Sequence, residues 1–303
     1  MSFQETFITL NDCRVRIRRK GQGTPMIYLH GADGAAMIQP FMETLAQSYD
    51  LIVPEHPGFG QSDETPWLEN MHDLAYFYLD LLDHLQLPAV HLVGSSLGGW
   101  LAMEIAIRAP HRVKSMLLSA PAGVRVANDP PGDIFLWTPE QMARNLFHNQ
   151  ALAEKVLAIP LSEEDQNIRL KNRHTTALLA WEPRLHDPCL HKWLHRANMP
   201  VSILWGAQDK IMPLACGEKI KSHLPNARLQ VIDQCGHLPQ IEHPGVFCAA
   251  VNTTLSRSLN HASHFVSPDV LCRFGFRGHQ RPRNRLGQPA QQILRSRQRP
   301  PTL

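Results

Sequence analysis

The chain has 303 residues, 43% of them hydrophobic and 19% charged, enough to bury the core of one large α/β domain, or of one domain with an insertion. Its six cysteines (Cys13, Cys189, Cys216, Cys235, Cys248 and Cys272) are scattered with no C-x-x-C pair, which argues against a zinc site or a disulfide framework and fits a reducing cytoplasm. No apolar stretch is long enough to span a bilayer, and Met1 to Thr6 has neither the basic start nor the apolar run of a secretory signal.

The first elements are extended. Phe3 to Leu10 and Cys13 to Arg18 alternate apolar and polar residues around Asn11-Asp12, the pattern of a β-hairpin. After Gly21-Gln22-Gly23-Thr24-Pro25, Met26 to Leu29 reads as a buried strand running into the glycine-rich loop His30-Gly31-Ala32-Asp33-Gly34. Such a loop at a strand's carboxyl end can turn backbone N–H groups toward a ligand; His30, at the strand end, is expected to brace it. Phe41 to Tyr49 predicts a helix and Leu51 to Pro54 a strand. The strand exits through Glu55-His56-Pro57-Gly58-Phe59-Gly60-Gln61-Ser62, where Glu55 and His56 are expected to shape the loop. Leu74, Phe77, Tyr78, Leu81, Leu82 and Leu85 repeat at helical spacing, and Pro88 stops the helix predicted over Leu74 to Leu87.

Ala89 to Val93 is a short apolar run, and Trp100 to Arg108 is rich in helix formers. Between them lies Gly94-Ser95-Ser96-Leu97-Gly98, a G-x-S-x-G pentapeptide in strand–turn–helix context, the setting of a nucleophile elbow. The turn lifts Ser96 above the sheet edge, and the first turn of the helix aims N–H groups at the same spot.

Val113 to Ser119 is the next strand, after which the alternation stops. Residues 124–198 hold amphipathic stretches at Gln141 to His148, Ala151 to Ile159 and Glu163 to Trp181, with no strand pattern, and predict a helical insertion. Trp137, Phe147, Leu178, Trp181 and Trp193 either line a pocket or form the insertion's own small core; most are expected in the core. Alternation resumes with the strand Val201 to Gly206, which ends in Ala207-Gln208-Asp209, then a helix over Ala215 to His223 and a strand over Arg228 to Ile232. Asp233-Gln234-Cys235-Gly236-His237 follows, and a last helix from Pro244 to about Leu255.

From Arg257 the chain loses periodicity. Residues 257–303 carry nine arginines, no lysine and one acidic residue, Asp269, a charge of +8 that leaves −5 on residues 1–256 out of a net +3. This section is expected to be disordered. It shows no aromatic platform or nucleic-acid module, so a nucleic-acid partner is not expected; an altered reading frame or a non-native extension would give the same composition.

Ser96, Asp209 and His237 thus stand at three strand ends, in that chain order. Serine is a weak nucleophile at neutral pH. It needs a base for its proton, and the base needs a carboxylate to set its tautomer and stabilise its cation. Asp233 is a rival acid by its nearness to His237 in sequence. The backbone N–H groups of Ala32 and Leu97 complete the set as an oxyanion hole.

On these motifs the chain resembles the α/β-hydrolase fold superfamily, in the branch of small carboxylesterases and meta-cleavage carbon–carbon hydrolases. Over residues 5–256 five motifs coincide in order: His30-Gly31, the P-G-x-G-x-S stretch from Pro57 to Ser62, the elbow, the W-G-x-x-D stretch from Trp205 to Asp209, and Gly236-His237. The resemblance implies an α/β fold with a mostly parallel eight-stranded sheet flanked by helices. It divides the chain into a core over 1–123 and 199–256, a helical cap over 124–198 and a tail over 257–303. It implies Ser96 as nucleophile, His237 as base and Asp209, at a strand terminus, as the orienting acid, with no metal and no cofactor.

Departures from the family narrow the activity. Serine in place of aspartate at the nucleophile argues against the haloalkane dehalogenase and epoxide hydrolase chemistries of this branch. Leu238 stands where carbon–carbon hydrolases usually place tryptophan, which argues against that activity. Glu55-His56 replaces the usual strand-exit aspartate. The expectation is a cytoplasmic serine carboxylesterase acting on small to medium, hydrophobic esters, with neither nucleic acid nor membrane as partner. The alternatives are a carbon–carbon bond hydrolase or lactonase using the same three residues, and a non-catalytic ligand receptor on the same fold.

Overall fold

The computed structural model describes residues 2–263, all within one compact unit, Met1–Phe265. Its centre is an eight-stranded sheet of β1 (Gln4–Leu10), β2 (Cys13–Lys20), β3 (Pro25–Leu29), β4 (Asp50–Pro54), β5 (Val90–Ser95), β6 (Val113–Ser119), β7 (Val201–Gly206) and β8 (Ala227–Ile232). The strands lie in the order β1-β2-β4-β3-β5-β6-β7-β8. Pairing is antiparallel for β1–β2 and β2–β4 and parallel from β4 to β8. The β1–β2 hairpin turns on Asn11 and Asp12, both at positive φ (51° and 58°), which short polar side chains tolerate.

Residues alternate between two buried faces, as the pleat requires. Ile27, Leu29, Ile52, Leu92, Met116, Leu118, Ile203 and Trp205 join one core cluster with α2 (Met71–His84), α3 (Leu97–Arg108) and α8 (Leu214–His223). Met26, Tyr28, Leu51, Val53, Val93, Leu117 and Leu204 join the other, under α1 (Pro40–Leu45) and α10 (Pro244–Ser263). Between β6 and β7 the chain makes α4 (Pro139–Leu146), α5 (Gln150–Leu157), α6 (Glu163–Ala180) and α7 (Leu190–Trp193). The short α9 (Pro239–Glu242) precedes α10.

Three boundaries differ from the sequence reading, each for a local reason. Helix α2 begins at Met71, where Asn70 and Asp73 form a capping box, and ends before Gln86, which sits at φ 55°. Helix α1 stops at Leu45 and gives way to tighter turns, Gln47 N–H to Thr44 O and Ser48 N–H to Leu45 O. The tail does not begin at Arg257. Helix α10 runs on to Ser263, and the Arg257 guanidinium donates to Val201 O (3.2 Å) and Asn226 O (2.8 Å) at the start of β7 and just before β8. Residues 264–303 lie outside the described residues. Of the five large side chains in the inserted segment, Phe147 is buried and Trp137 packs on the main core, but Leu178, Trp181 and Trp193 are exposed. No helix among the described residues is long and apolar enough to cross a membrane.

Candidate active site

Ser96, Asp209 and His237 follow the carboxyl ends of β5, β7 and β8. At Ser96 the chain leaves β5 and enters α3 with φ 53° and ψ −114°, a strained conformation for a non-glycine residue. Ser96 N–H donates to Ser119 O, and Ser96 O accepts from Gly99, Trp100 and Ala122 N–H, so the strain is held from several sides. A Cβ on Gly98 would lie 2.0 Å from Leu29 O; only glycine lets the helix start so close to β3.

His237 Nδ1 and Asp209 Oδ2 are 2.8 Å apart, and both side chains are almost wholly buried. The other carboxylate oxygen of Asp209 accepts from Ile211 N–H (2.8 Å) and Met212 N–H (2.9 Å). The carboxylate is thereby fixed in rotation, it sets the His237 proton on Nδ1, and it leaves Nε2 as the atom that can take a proton. Asp233 is turned elsewhere: it is exposed and accepts from Gln208 Nε2. Cys235, two residues before His237, is no rival nucleophile. Burial, with Glu242 and Asp209 adding to it, pushes its thiol up to about 12.

Leu97 opens α3, so its N–H has no intrahelical acceptor. Ala32 lies in a turn closed by Gly34 N–H to Gly31 O (3.1 Å), and a Cβ on Gly31 would come within 3.4 Å of Ser96 Cβ. The predicted oxyanion loop therefore abuts the predicted nucleophile.

That loop is braced from below. His30 stacks on His56, ring centroids 3.6 Å apart. His56 N–H donates to His30 Nε2 (3.0 Å), so His30 carries its proton on Nδ1 and donates to Gly31 O (2.8 Å). His56 Nε2–H donates to His30 O, and its Nδ1 accepts from the Tyr78 hydroxyl. Burial lowers the pKa of both rings, His30 to about 4, so both are neutral at pH 7. Glu55 is paired with Arg16 and accepts from Gln61 N–H, which shapes the next loop. Asp33 is exposed as a residue but crowded around its carboxyl. This crowding pushes its pKa up.

Three further polar residues hold this site, and none was marked in the sequence. Gln240 is buried, donates to Ser95 Oγ (2.9 Å) and accepts from Ser119 Oγ (3.0 Å), tying the His237 loop to the elbow strand. Glu242 accepts from Gly236 N–H and from Asn149 N–H (2.8 Å), and His237 N–H donates to Leu146 O (2.8 Å), tying the same loop to the inserted segment. Asn172, on α6, reaches the loop after β3 through its bond to Asp33 O. Each lies in an unremarkable polar context, so only the folded chain distinguishes it from its neighbours.

Among the described residues one cluster has the make-up of a metal site, His72, Glu104 and Asp187, with ligand atoms within 4.8 Å of one another. Glu104, however, already accepts from Trp100 Nε1 and is paired with the Arg108 guanidinium, whose charge opposes a cation there. The cluster is a polar knot joining α2, α3 and the turn at Asp187.

A family model described as the alpha/beta hydrolase fold matches residues 24–244. The chain is 28% identical over 276 residues to the 2-hydroxy-6-oxo-6-phenylhexa-2,4-dienoate hydrolase of Burkholderia cepacia, a match covering 80% of this chain and 92% of the relative. It is 28% identical over 255 residues to the pimeloyl-[acyl-carrier protein] methyl ester esterase of Nitrosomonas europaea, covering 77% of this chain and 96% of that protein. The solved structure of a 2-hydroxy-6-oxo-6-phenylhexa-2,4-dienoate hydrolase from Rhodococcus sp. strain RHA1 superposes with a TM-score of 0.70 at 21% identity, covering 84% of this chain and 99% of that one.

Proposed function

Because the chain belongs to the alpha/beta hydrolase fold family, we propose that it is a serine hydrolase cleaving carboxylic esters of small to medium, hydrophobic substrates through an acyl-enzyme on Ser96. The observation that carries this reading is the buried His237–Asp209 pair, 2.8 Å apart, at the same edge of the sheet as the strained Ser96. Ser96 Oγ attacks the ester carbonyl as His237 Nε2 takes its proton. The oxyanion is held by Ala32 and Leu97 N–H, each such donor being worth ~3 kcal/mol in the transition state. The intermediate collapses, the alcohol leaves with the proton from His237, and Ser96 keeps the acyl group. His237 then deprotonates a water that attacks the acyl carbonyl, releasing the acid and restoring Ser96. Residues 124–198 act as the cap over this site. The five described cysteines are all unpaired thiols, which supports a cytoplasmic setting.

A second reading has a specific observation behind it. The Burkholderia relative is by name a dienoate hydrolase, so carbon–carbon cleavage of a ring-fission product by the same three residues is the alternative. Against it stands Leu238 after His237, which packs on the buried Ala143, Phe147 and Ala153 of the inserted segment. The Nitrosomonas relative, by name a methyl ester esterase, supports the ester reading.

The test is hydrolysis of p-nitrophenyl esters from acetate to long acyl chains, with Ser96→Ala beside the parent. Turnover abolished by the substitution is expected. A folded parent that spares every ester but bleaches a yellow ring-fission dienoate would replace this reading with the second one.

A further inference from the structure

Helix α6 packs Leu179 and Ala180 on the main core and meets the loops of the frame through polar side chains. Lys171 Nζ donates to Gly60 O and Ser62 O, and Thr175 Oγ1 donates to Gly58 O (2.6 Å). These anchors all fall on the loop after β4. Asn172 alone reaches both loops: its Oδ1 accepts from Gly60 N–H (2.8 Å), and its Nδ2 donates to Asp33 O (2.8 Å). The residue is 4% exposed, and Thr176 Oγ1 donates to its backbone carbonyl. Gly34, at φ 83°, lies against the amide; a Cβ there would be 2.6 Å from Asn172 Nδ2.

We propose that Asn172 is a positioning residue that sets the oxyanion hole from the inserted segment. The inference rests on the reading that Ala32 N–H is an oxyanion donor. The Asp33–Gly34 peptide, whose carbonyl Asn172 holds, donates through Gly34 N–H to Gly31 O, and Gly31 O shares its peptide plane with Ala32 N–H. One side chain therefore fixes the plane of the Asp33–Gly34 peptide and, through it, the direction of the Ala32 N–H. His30 holds Gly31 from beneath; Asn172 holds Asp33 from above. A small rotation of an N–H away from a developing charge is enough to lower the rate substantially. The cap thus contributes to the chemistry of the proposed reaction as well as covering it.

The experiment measures the second-order rate of Ser96 labelling by a fluorophosphonate, whose reaction develops charge at the same donors but needs no particular ester. Three variants of the full chain are compared: Asn172→Leu, which removes both bonds at similar volume; Asn172→Asp, which keeps the acceptor for Gly60 and loses the donor to Asp33; and Thr175→Val, which removes a cap anchor of the same helix away from the oxyanion loop. Labelling of both Asn172 variants is expected to fall about 10- to 100-fold, while Thr175→Val labels close to the parent rate at a comparable melting temperature. On a p-nitrophenyl ester, kcat falls and KM holds. If Asn172→Leu does not fold, Asn172→Asp carries the comparison alone. Equal losses in Thr175→Val and the Asn172 variants, or parent-like labelling of the Asn172 variants, would overturn the proposal. A parent that labels but hydrolyses no ester sinks the substrate reading and leaves this inference standing; a folded parent that does not label sinks both.

Discussion

Gly206 and Gly236 stand back to back: a Cβ on Gly206 would lie 2.0 Å from the Gly236 carbonyl oxygen. The first ends β7, three residues before Asp209; the second immediately precedes His237. The contact between these two backbones brings the acid and the imidazole into register.

Gly206→Ala should therefore push the two loops apart. Overpacking of this kind costs about 1–3 kcal/mol, readable as a lower melting temperature. Ester turnover should fall about tenfold or more through the displaced His237–Asp209 pair.

Asp209→Asn keeps the shape of the side chain but, in holding its two backbone donors, can present an amide N–H where the His237 proton now points. The imidazole is then driven to the wrong tautomer, and kcat should drop by about 10³–10⁴-fold. Asp233→Asn, on an exposed side chain that meets only Gln208, should leave kcat near the parent value; a pH–rate series on both variants checks the assignment.

Stability should decline on the acid side. The His30 pKa is lowered from 6.5 to about 4 in the folded chain, and His56 is lowered as well. Below pH 6.5 the unfolded chain binds protons that the folded chain refuses, so stability is full above that pH and falls as the pH drops toward 4. The loss from His30 alone is on the order of 3 kcal/mol. Melting temperatures between pH 7.5 and 4.5 should show this slope, and it should flatten in a folded His30→Asn variant.

The end of α10 belongs to the fold. A chain stopped after Ser256 loses both bonds from Arg257 to the carbonyls of Val201 and Asn226. It should melt below one stopped after Ser263, and Arg257→Ala in the full chain should lose roughly 1–3 kcal/mol. Chemical denaturation of the two truncated chains, of Arg257→Ala and of the full-length parent measures both effects.

The sheet was legible because its signal is local. Most parallel strands are short apolar runs and β8 is a short alternating one, and Ser96, Asp209 and His237 each lie past the end of such a strand. The inserted helices were also visible from their periodicity. Trp181 was not placed correctly, because a tryptophan in an amphipathic stretch has the same pattern whether it is buried or, as here, lies against Phe135 and under Arg184 at the surface. Arg257 was assigned to the tail because composition weighs a residue by its neighbours in sequence, while its partners lie 31 and 56 positions away. Asn172, Gln240 and Glu242 escaped for the same reason: each binds across more than 90 residues, and no spacing rule encodes such pairs.

The segment between β6 and β7 has a hydrophobic cluster of only three buried residues of its own, Ala143, Phe147 and Ala153. It takes its shape from the frame, gripping the loop after β3 through Asn172 and the His237 loop through Leu146 and Asn149. Exchange of this segment between relatives is consequently not a modular swap of specificity. A graft lacking the amide at 172, or facing a frame without the carboxylate at 242, imports a foreign alignment of the reacting groups along with a foreign pocket. Transplants would succeed as matched sets of contacts rather than as detachable lids.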